Sequence, residues 1–68
     1  MAKYVVALYS NFNGSMLKEE VEAESVLAAG MKVLVNEEWD LSNTKIDSCV
    51  ALQEFVFNCD HTIGIVEI

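Results

Sequence analysis

YVVALYSNFNGSMLKEEVEA, residues 4–23, decides the fold because it holds two strand-forming runs on either side of a turn signal. β-branched and aromatic residues dominate residues 3–10. Asn13-Gly14 is the strongest short hairpin signal, since both residue types tolerate the positive φ that a type I′ turn demands. A two-residue turn at this point sets Phe12 opposite Ser15. The stretch therefore predicts a β-hairpin with a defined register.

That register assigns the two faces of the hairpin. The predicted core side carries Tyr4, Val6, Leu8, Leu17, Val21 and Ala23, with Tyr4 opposite Ala23 and Val6 opposite Val21. The reverse face carries Val5, Ala7 and Tyr9 opposite Glu22, Glu20 and Lys18, with Met16 on the same side. The first strand is apolar on both faces, as a central strand is, whereas the second is polar outside, as an edge strand is.

Two helices are predicted after the hairpin. Ser25 is a suitable N-cap for a helix from residue 26 to about residue 38. Thr44 and Asp47 form a possible capping box for a second helix, from residue 45 to about residue 58. This second segment is apolar around most of its circumference, so it must pack on the sheet and on its sister helix, or on a second subunit.

The C-terminal run HTIGIVEI, residues 61–68, is the candidate for a third strand on the free side of the first. Gly30 lies beside the apolar stripe of the first helix, where a close approach to the sheet is expected. Residues 1–68 are thus predicted to form a single α+β domain. It has an N-terminal hairpin, two helical segments packed on one face, and a third strand beside the first, whose direction the sequence leaves open.

The chain length, the hydrophobic content and the net charge limit the functions that this protein can have. A chain of 68 residues buries only roughly 60% of its unfolded surface. At 53% hydrophobic it carries more apolar surface than a monomer can hide, so a homodimer is expected. The net charge of −7 argues against direct nucleic-acid or membrane binding and favours a partner protein with a basic surface. Without a signal peptide or a long apolar run, the expected location is cytoplasmic.

Residue types that bind metals are clustered only at Cys59-Asp60-His61, with Cys49 as a conceivable further ligand. The spacing of zinc sites is absent, so a helix end with an incidental histidine is the preferred interpretation. The two cysteines are predicted to be small core residues in a reducing compartment. No catalytic residue, metal or cofactor is predicted.

Two features suggest contact with a partner. Glu20, Glu22 and Glu24 recur at about 6.8 Å along one strand face, or about two phosphate rises of a nucleic-acid strand. This row is either a DNA mimic or a charged edge that protects against aggregation. Trp39, in the predicted interhelical loop, is either a contact anchor or a side chain folded back onto the core.

The hairpin YVVALYSNFNGSMLKEEV, residues 4–21, resembles the N-terminal hairpin of the Dmd antitoxin family of T-even phages, and the order hairpin, helical region, terminal strand is similar. The size, the acidity and the VEAES junction, residues 21–25, resemble small early accessory proteins of large tailed phages. The resemblance implies a protein that neutralises a toxin or blocks a defence by binding, without catalytic residues.

The leading hypothesis is therefore a non-enzymatic phage-type accessory protein that binds and inhibits a host protein. The predicted partner-binding residues are Val5, Ala7, Tyr9, Phe12, Met16, Glu20, Glu22 and Trp39. The alternatives are an acidic DNA-mimic inhibitor of a nucleic-acid-binding enzyme and a small homo-oligomeric interaction module. An enzyme or metal protein that uses Cys59 and His61 is a further alternative.

Overall fold

The computed structural model describes residues 1–68, which form three strands and two helices. In chain order these are β1 (Ala2–Ser10), β2 (Met16–Ala23), α1 (Val26–Asn36), α2 (Cys49–Asn58) and β3 (His61–Glu67). The strands form one antiparallel sheet in the order β2-β1-β3, so β1 is central, as predicted. Both helices pack on one face of this sheet. The α+β class and the placement of β3 beside β1 are confirmed.

β3 runs antiparallel to β1, which answers the question of direction that the sequence left open. α1 follows β2 almost directly and so begins at the end of the sheet where β1 starts. α2 ends just before β3 and so reaches the opposite end of the sheet. Both helices therefore run in the same direction along the sheet, and the long connection over residues 37–48 carries the chain back between them.

The hairpin register differs by two residues from the predicted one. Tyr4 pairs with Val21 and Leu8 pairs with Leu17. The loop spans residues 11–15, between the end of β1 and the start of β2. It is not a type I′ turn, because only Gly14 among its residues has positive φ, at 76°. The wider loop is held by its own side chains, since Asn13 Oδ1 accepts a hydrogen bond from Ser15 N–H at 3.0 Å. A shift of two residues preserves the alternation of side chains, so the predicted faces are correct although the partners are not.

The helices cover the side of the hairpin that was predicted to be the core. Tyr4, Val6, Leu8, Val21 and Ala23 are buried there, and Leu17 is half-buried. The most deeply buried large side chains are Leu34, Leu52, Val6, Val33 and Val56. The core thus joins β1 to both helices.

Gly30 permits the closest contact in this core. A Cβ at this position would lie 2.5 Å from Leu52 Cδ2 and 2.9 Å from Ile65 Cδ1. Real Cβ atoms do not approach other atoms so closely, so a side chain at residue 30 would force the terminal methyl groups of Leu52 and Ile65 to shift. The predicted close approach is confirmed and includes the second helix.

α1 begins as predicted and ends slightly early. Ser25 Oγ accepts a hydrogen bond from Ala28 N–H at 3.1 Å, which caps the first turn. Glu38 has a φ of 63°, and the following Trp39 N–H donates to Leu34 O at 3.0 Å. This is the left-handed C-terminal motif that usually takes glycine, here formed by glutamate. The helix therefore stops at Asn36.

α2 begins later than predicted, and the Thr44–Asp47 capping box is wrong. Ser48 is the N-cap, and its Oγ accepts a hydrogen bond from Ala51 N–H at 3.1 Å. The residues before it form an irregular segment in which Ile46 packs against the core. Ser48, which directly precedes the apolar run of α2, therefore caps the helix in place of Thr44.

The cysteines are not core residues, contrary to the prediction. Cys49 and Cys59 are both free and exposed. They occupy the first turn and the C-cap of α2, while Leu52 and Val56 fill the side of this helix that faces the core. Because both cysteines lie at the ends of α2, their side chains do not reach the core.

Candidate protein-binding face

The open face is the surface of the sheet opposite the two helices, and no other part of the chain packs on it. Its side chains come from alternate positions of all three strands, as the pairing registers require. They are Lys3, Val5, Ala7 and Tyr9 of β1; Met16, Lys18, Glu20 and Glu22 of β2; and Thr62, Gly64 and Val66 of β3. The open face is thus apolar along β1 and charged along β2.

A shallow hollow lies at the centre of the open face. Ala7 and Gly64 are direct neighbours across β1 and β3, and neither has a side chain beyond Cβ. A Cβ placed on Gly64 would have no other atom within 4 Å. Val5 and Tyr9 stand on either side of Ala7 along β1. The geometry can therefore accept a protruding apolar side chain from another molecule.

Larger apolar side chains around the hollow are accessible. Tyr9 is 38% exposed, Met16 58% and Val66 67%. The observed register places Met16 directly opposite Tyr9, and Val66 opposite Val5. Cross-strand neighbours of this kind form a continuous apolar surface. Such a surface marks an interaction site more often than scattered apolar residues do.

The open face carries two lysines and two glutamates. Lys3 pairs with Glu22, and Lys18 lies two positions before Glu20 on β2. Glu24 lies beyond the end of β2. The row of carboxylates that suggested a phosphate mimic is therefore reduced to Glu20 and Glu22 and is accompanied by two lysines, so the open face is balanced in charge. The net charge of −7 resides mainly elsewhere on the molecule.

Most of the predicted partner-binding residues lie together. Val5, Ala7, Tyr9, Met16, Glu20 and Glu22 all lie on the open face. Phe12 is 87% exposed at the tip of the hairpin loop, at one end of the sheet. The structure thus brings the strand residues into one surface with Phe12 at its margin.

Trp39 lies on the helix side of the sheet, away from the open face. It is half-buried, and its ring centroid is 5.9 Å from that of Phe55 and 4.9 Å from that of His61. Its backbone N–H belongs to the C-terminal motif of α1. Of the two interpretations that the sequence allowed, this geometry fits the side chain that folds back onto the core.

Sequence reasoning missed the contribution of β3 to the open face. Thr62, Gly64 and Val66 alternate with core-side residues in the run HTIGIVE. The alternation was visible in the sequence, but its phase relative to β1 depends on the direction of pairing. An antiparallel pairing places Gly64 beside Ala7, and this contact creates the hollow.

A pair of carboxyl groups, also missed, lies on the covered side. Glu19 is the one charged residue that β2 directs towards the helices, and its Oε2 is buried without a hydrogen-bond partner. Partial desolvation raises the pKa of the nearby Glu37, and a hydrogen bond to Glu19 and repulsion from Glu19 and Glu38 raise it further. When both groups are ionised neither can donate, so the hydrogen bond forms only when one is protonated.

Asp40 is affected in the opposite direction. Its Oδ1 accepts hydrogen bonds from Ser42 Oγ at 2.7 Å and from Ser42 N–H at 3.0 Å. These bonds favour the ionised form and lower the pKa of Asp40. Both perturbed groups lie near the C-terminal end of α1 and not on the open face.

The cluster Cys59-Asp60-His61 does not form a metal site. No group of three or more His, Cys, Asp or Glu side chains is close enough to hold a metal ion. His61 Nδ1 lies 2.7 Å from Cys59 O, so this nitrogen is a hydrogen-bond donor to the helix end. Neither helix has the length and apolar character that crossing a membrane requires.

Comparisons with protein-family models, with curated proteins and with solved structures found no match.

Proposed function

We propose that this protein is a non-enzymatic binding protein that inhibits a target protein by covering it with the open face. The observation that carries the proposal is the central hollow at Ala7 and Gly64, surrounded by exposed apolar side chains. The fold does not require this surface to be apolar, because the core lies entirely on the other side of the sheet. An apolar surface without a structural role is best explained by a partner.

The target that this surface suits has an apolar projection, and the net charge of the whole chain favours a target that is basic overall. A side chain such as leucine or phenylalanine in the hollow would contact Val5 and Tyr9. The rim, with lysines and glutamates, selects orientation more than affinity. The net charge of −7 would attract a basic target from a distance and speed its association. The resemblance of the hairpin to phage antitoxins directs the search to bacterial toxins and defence proteins.

The test compares two matched arginine substitutions. Ala7→Arg fills the hollow with a charged side chain, whereas Val35→Arg places the same side chain on the exposed surface of α1, where Val35 is 61% exposed. Immobilised wild-type protein is exposed to a bacterial lysate, and retained proteins are identified, purified and titrated against each variant. We expect Ala7→Arg to weaken binding by at least about tenfold and Val35→Arg to leave it unchanged.

Three results would contradict the proposal: no protein is retained, Ala7→Arg binds as tightly as the wild type, or both arginine variants weaken binding equally. Circular dichroism of each variant confirms that it remains folded. The inhibitory part of the proposal has its own measurement, since the activity of the purified target must fall when the wild-type protein saturates it.

A further inference from the structure

The two edges of the sheet expose different backbone groups. Asn11 N–H donates to Asp60 O and Ile68 N–H donates to Lys3 O, both at 2.8 Å, which fixes the hydrogen-bonding phase between β1 and β3. Even-numbered residues of β3 therefore bond to β1. The N–H and C=O groups that point to the free edge belong to His61, Ile63, Ile65 and Glu67.

The β2 edge is protected. Its outward backbone groups belong to Met16, Lys18, Glu20 and Glu22. One of them is occupied, because Lys32 Nζ donates to Glu22 O at 3.0 Å. Charged side chains at three of these four positions oppose the approach of another strand. These are the devices by which natural sheets avoid pairing at an edge.

Apart from the charged side chain of Glu67 at its end, the β3 edge has none of these devices. The strand HTIGIVE contains no lysine and no proline, and its register with β1 has no bulge. No element covers the edge. A cleft of about 460 Å³ separates β3 from α2 and is lined on the helix side by Gln53, Glu54, Phe57 and Asn58. The free edge of β3 therefore offers unpaired backbone groups and enough space for another strand to pair with them.

We propose that a second copy of this chain occupies this cleft by pairing its β3 antiparallel to the first. The register that overlaps the whole of both strands has its two-fold axis at Gly64. It sets His61 opposite Glu67 of the second copy, Ile63 opposite Ile65, and Thr62 opposite Val66. Every outward backbone group then meets an outward group of the other strand, and imidazole faces carboxylate at both ends.

This pairing also buries apolar surface on α2. Val50 and Phe57 are seven residues apart, which places them on one side of the helix, and they are 63% and 67% exposed. Because Phe57 lines the cleft, this side of α2 faces the free edge of β3. The two-fold axis is perpendicular to the sheet, so both copies place their helices on the same face. The α2 helix of the second copy then covers Val50 and Phe57 on the α2 helix of the first copy.

The resulting dimer has one continuous sheet in the order β2-β1-β3-β3-β1-β2, and the protected β2 strands of the two copies form its outer edges. The two open faces join into one surface. The pairing uses the edge and not the open face, so it does not depend on the proposed function and is tested separately.

Disulfide formation tests the register. With Cys49→Ser and Cys59→Ser as background, Gly64→Cys places two thiols in a non-hydrogen-bonded pair whose Cα atoms are about 4.5 Å apart, within disulfide range. Thr62→Cys in the same background places its thiols about 13 Å apart along the strands. We expect Gly64→Cys to form a covalent dimer under mild oxidation and Thr62→Cys to stay monomeric. Equal cross-linking of the two variants would overturn the register.

Sedimentation measures the dimer itself. Gly64→Lys sets two ammonium groups side by side on the axis, and the open space around Gly64 lets the single chain accept the side chain. We expect the wild type and Gly64→Ala to be dimers and Gly64→Lys to be a folded monomer. A monomeric wild type, or a Gly64→Lys variant that remains a dimer, would overturn the proposal.

Discussion

β1 presents two apolar faces, and only one of them has a structural role. Val6 is completely buried between the sheet and the helices, whereas its neighbour Val5 is half-buried on the open face with no layer above it. Both are valines in the same strand, so their residue type and local backbone are matched. The difference teaches that the core alone does not account for the apolar character of so small a domain: the covered face requires it and the open face does not, which is why we propose a partner there.

The largest expected effect separates these two valines. Val6→Ala removes two methyl groups from a fully buried position and leaves a cavity, so it should lower the free energy of unfolding by about 2 kcal/mol. Val5→Ala should lower it by only about 0.5 kcal/mol. Urea denaturation of the two variants measures both values. Equal losses would mean that another layer covers the open face even in the isolated protein.

The two glycines that face opposite sides of the sheet extend the comparison. Gly30→Ala forces a methyl group against Leu52 and Ile65, and this overpacking should outweigh the gain in helix propensity and cost about 1.5 kcal/mol. Gly64→Ala meets no atom and removes a glycine from a strand interior, so it should stabilise by about 0.5 kcal/mol. Thermal unfolding of the two variants shows whether each substitution stabilises or destabilises the protein. A stabilising Gly30→Ala would show that α1 can move away from α2.

The hairpin loop determines which side of β1 is covered, and Gly14 should respond to substitution with a smaller effect. Its φ of 76° is unfavourable for any residue with a Cβ, so Gly14→Ala should cost about 1 kcal/mol. Ser15→Ala, at the adjacent exposed position, should be nearly neutral. Hydrogen exchange should show the same protected amides in both variants, because a slip of one residue would exchange the two faces. A changed exchange pattern would contradict this.

The faces of the hairpin were predictable from the sequence although its register was not. Alternation has a period of two, so an error of two residues at the turn left every side chain on its correct side. Gly30 was predictable from its position, because a glycine beside the apolar stripe of a helix allows another element to approach the helix backbone. The exact pairs depend on Asn13 and Ser10 side chains that stabilise a wider loop, which competes closely with a type I′ turn.

Features that depend on the path of the chain were not predictable. The direction of β3 follows from the connection over residues 37–48, which has no periodic pattern. The hollow at Ala7 and Gly64 depends on that direction, and so does the free edge at Ile63 and Ile65. Cys49, which was predicted to be a small core residue, lies exposed in the first turn of α2. Local rules thus identified the strands and helices, while the candidate sites arise where distant segments meet.

The smallest expected effect concerns two adjacent glutamates on opposite faces. Glu19 lies on the covered side near Glu37, and Glu20 lies on the open face. Because the pKa of Glu37 is raised in the folded state, the folded protein binds this proton more tightly than the unfolded chain does. The contribution to stability is therefore present at low pH and is lost as the pH rises from the ordinary value of 4.5 through the raised pKa.

Glu19→Gln should remove the repulsion and supply an N–H donor to Glu37, so Tm at neutral pH should rise slightly. The loss of stability between acidic and neutral pH should also become smaller. Glu20→Gln has the same change in charge without a nearby carboxylate on the covered side, so its Tm should match the wild type. Thermal scans from pH 4 to pH 7 compare the three proteins at each step of this titration. If both variants gained equally, the relief would come from the net charge of −7 and not from the buried oxygen of Glu19.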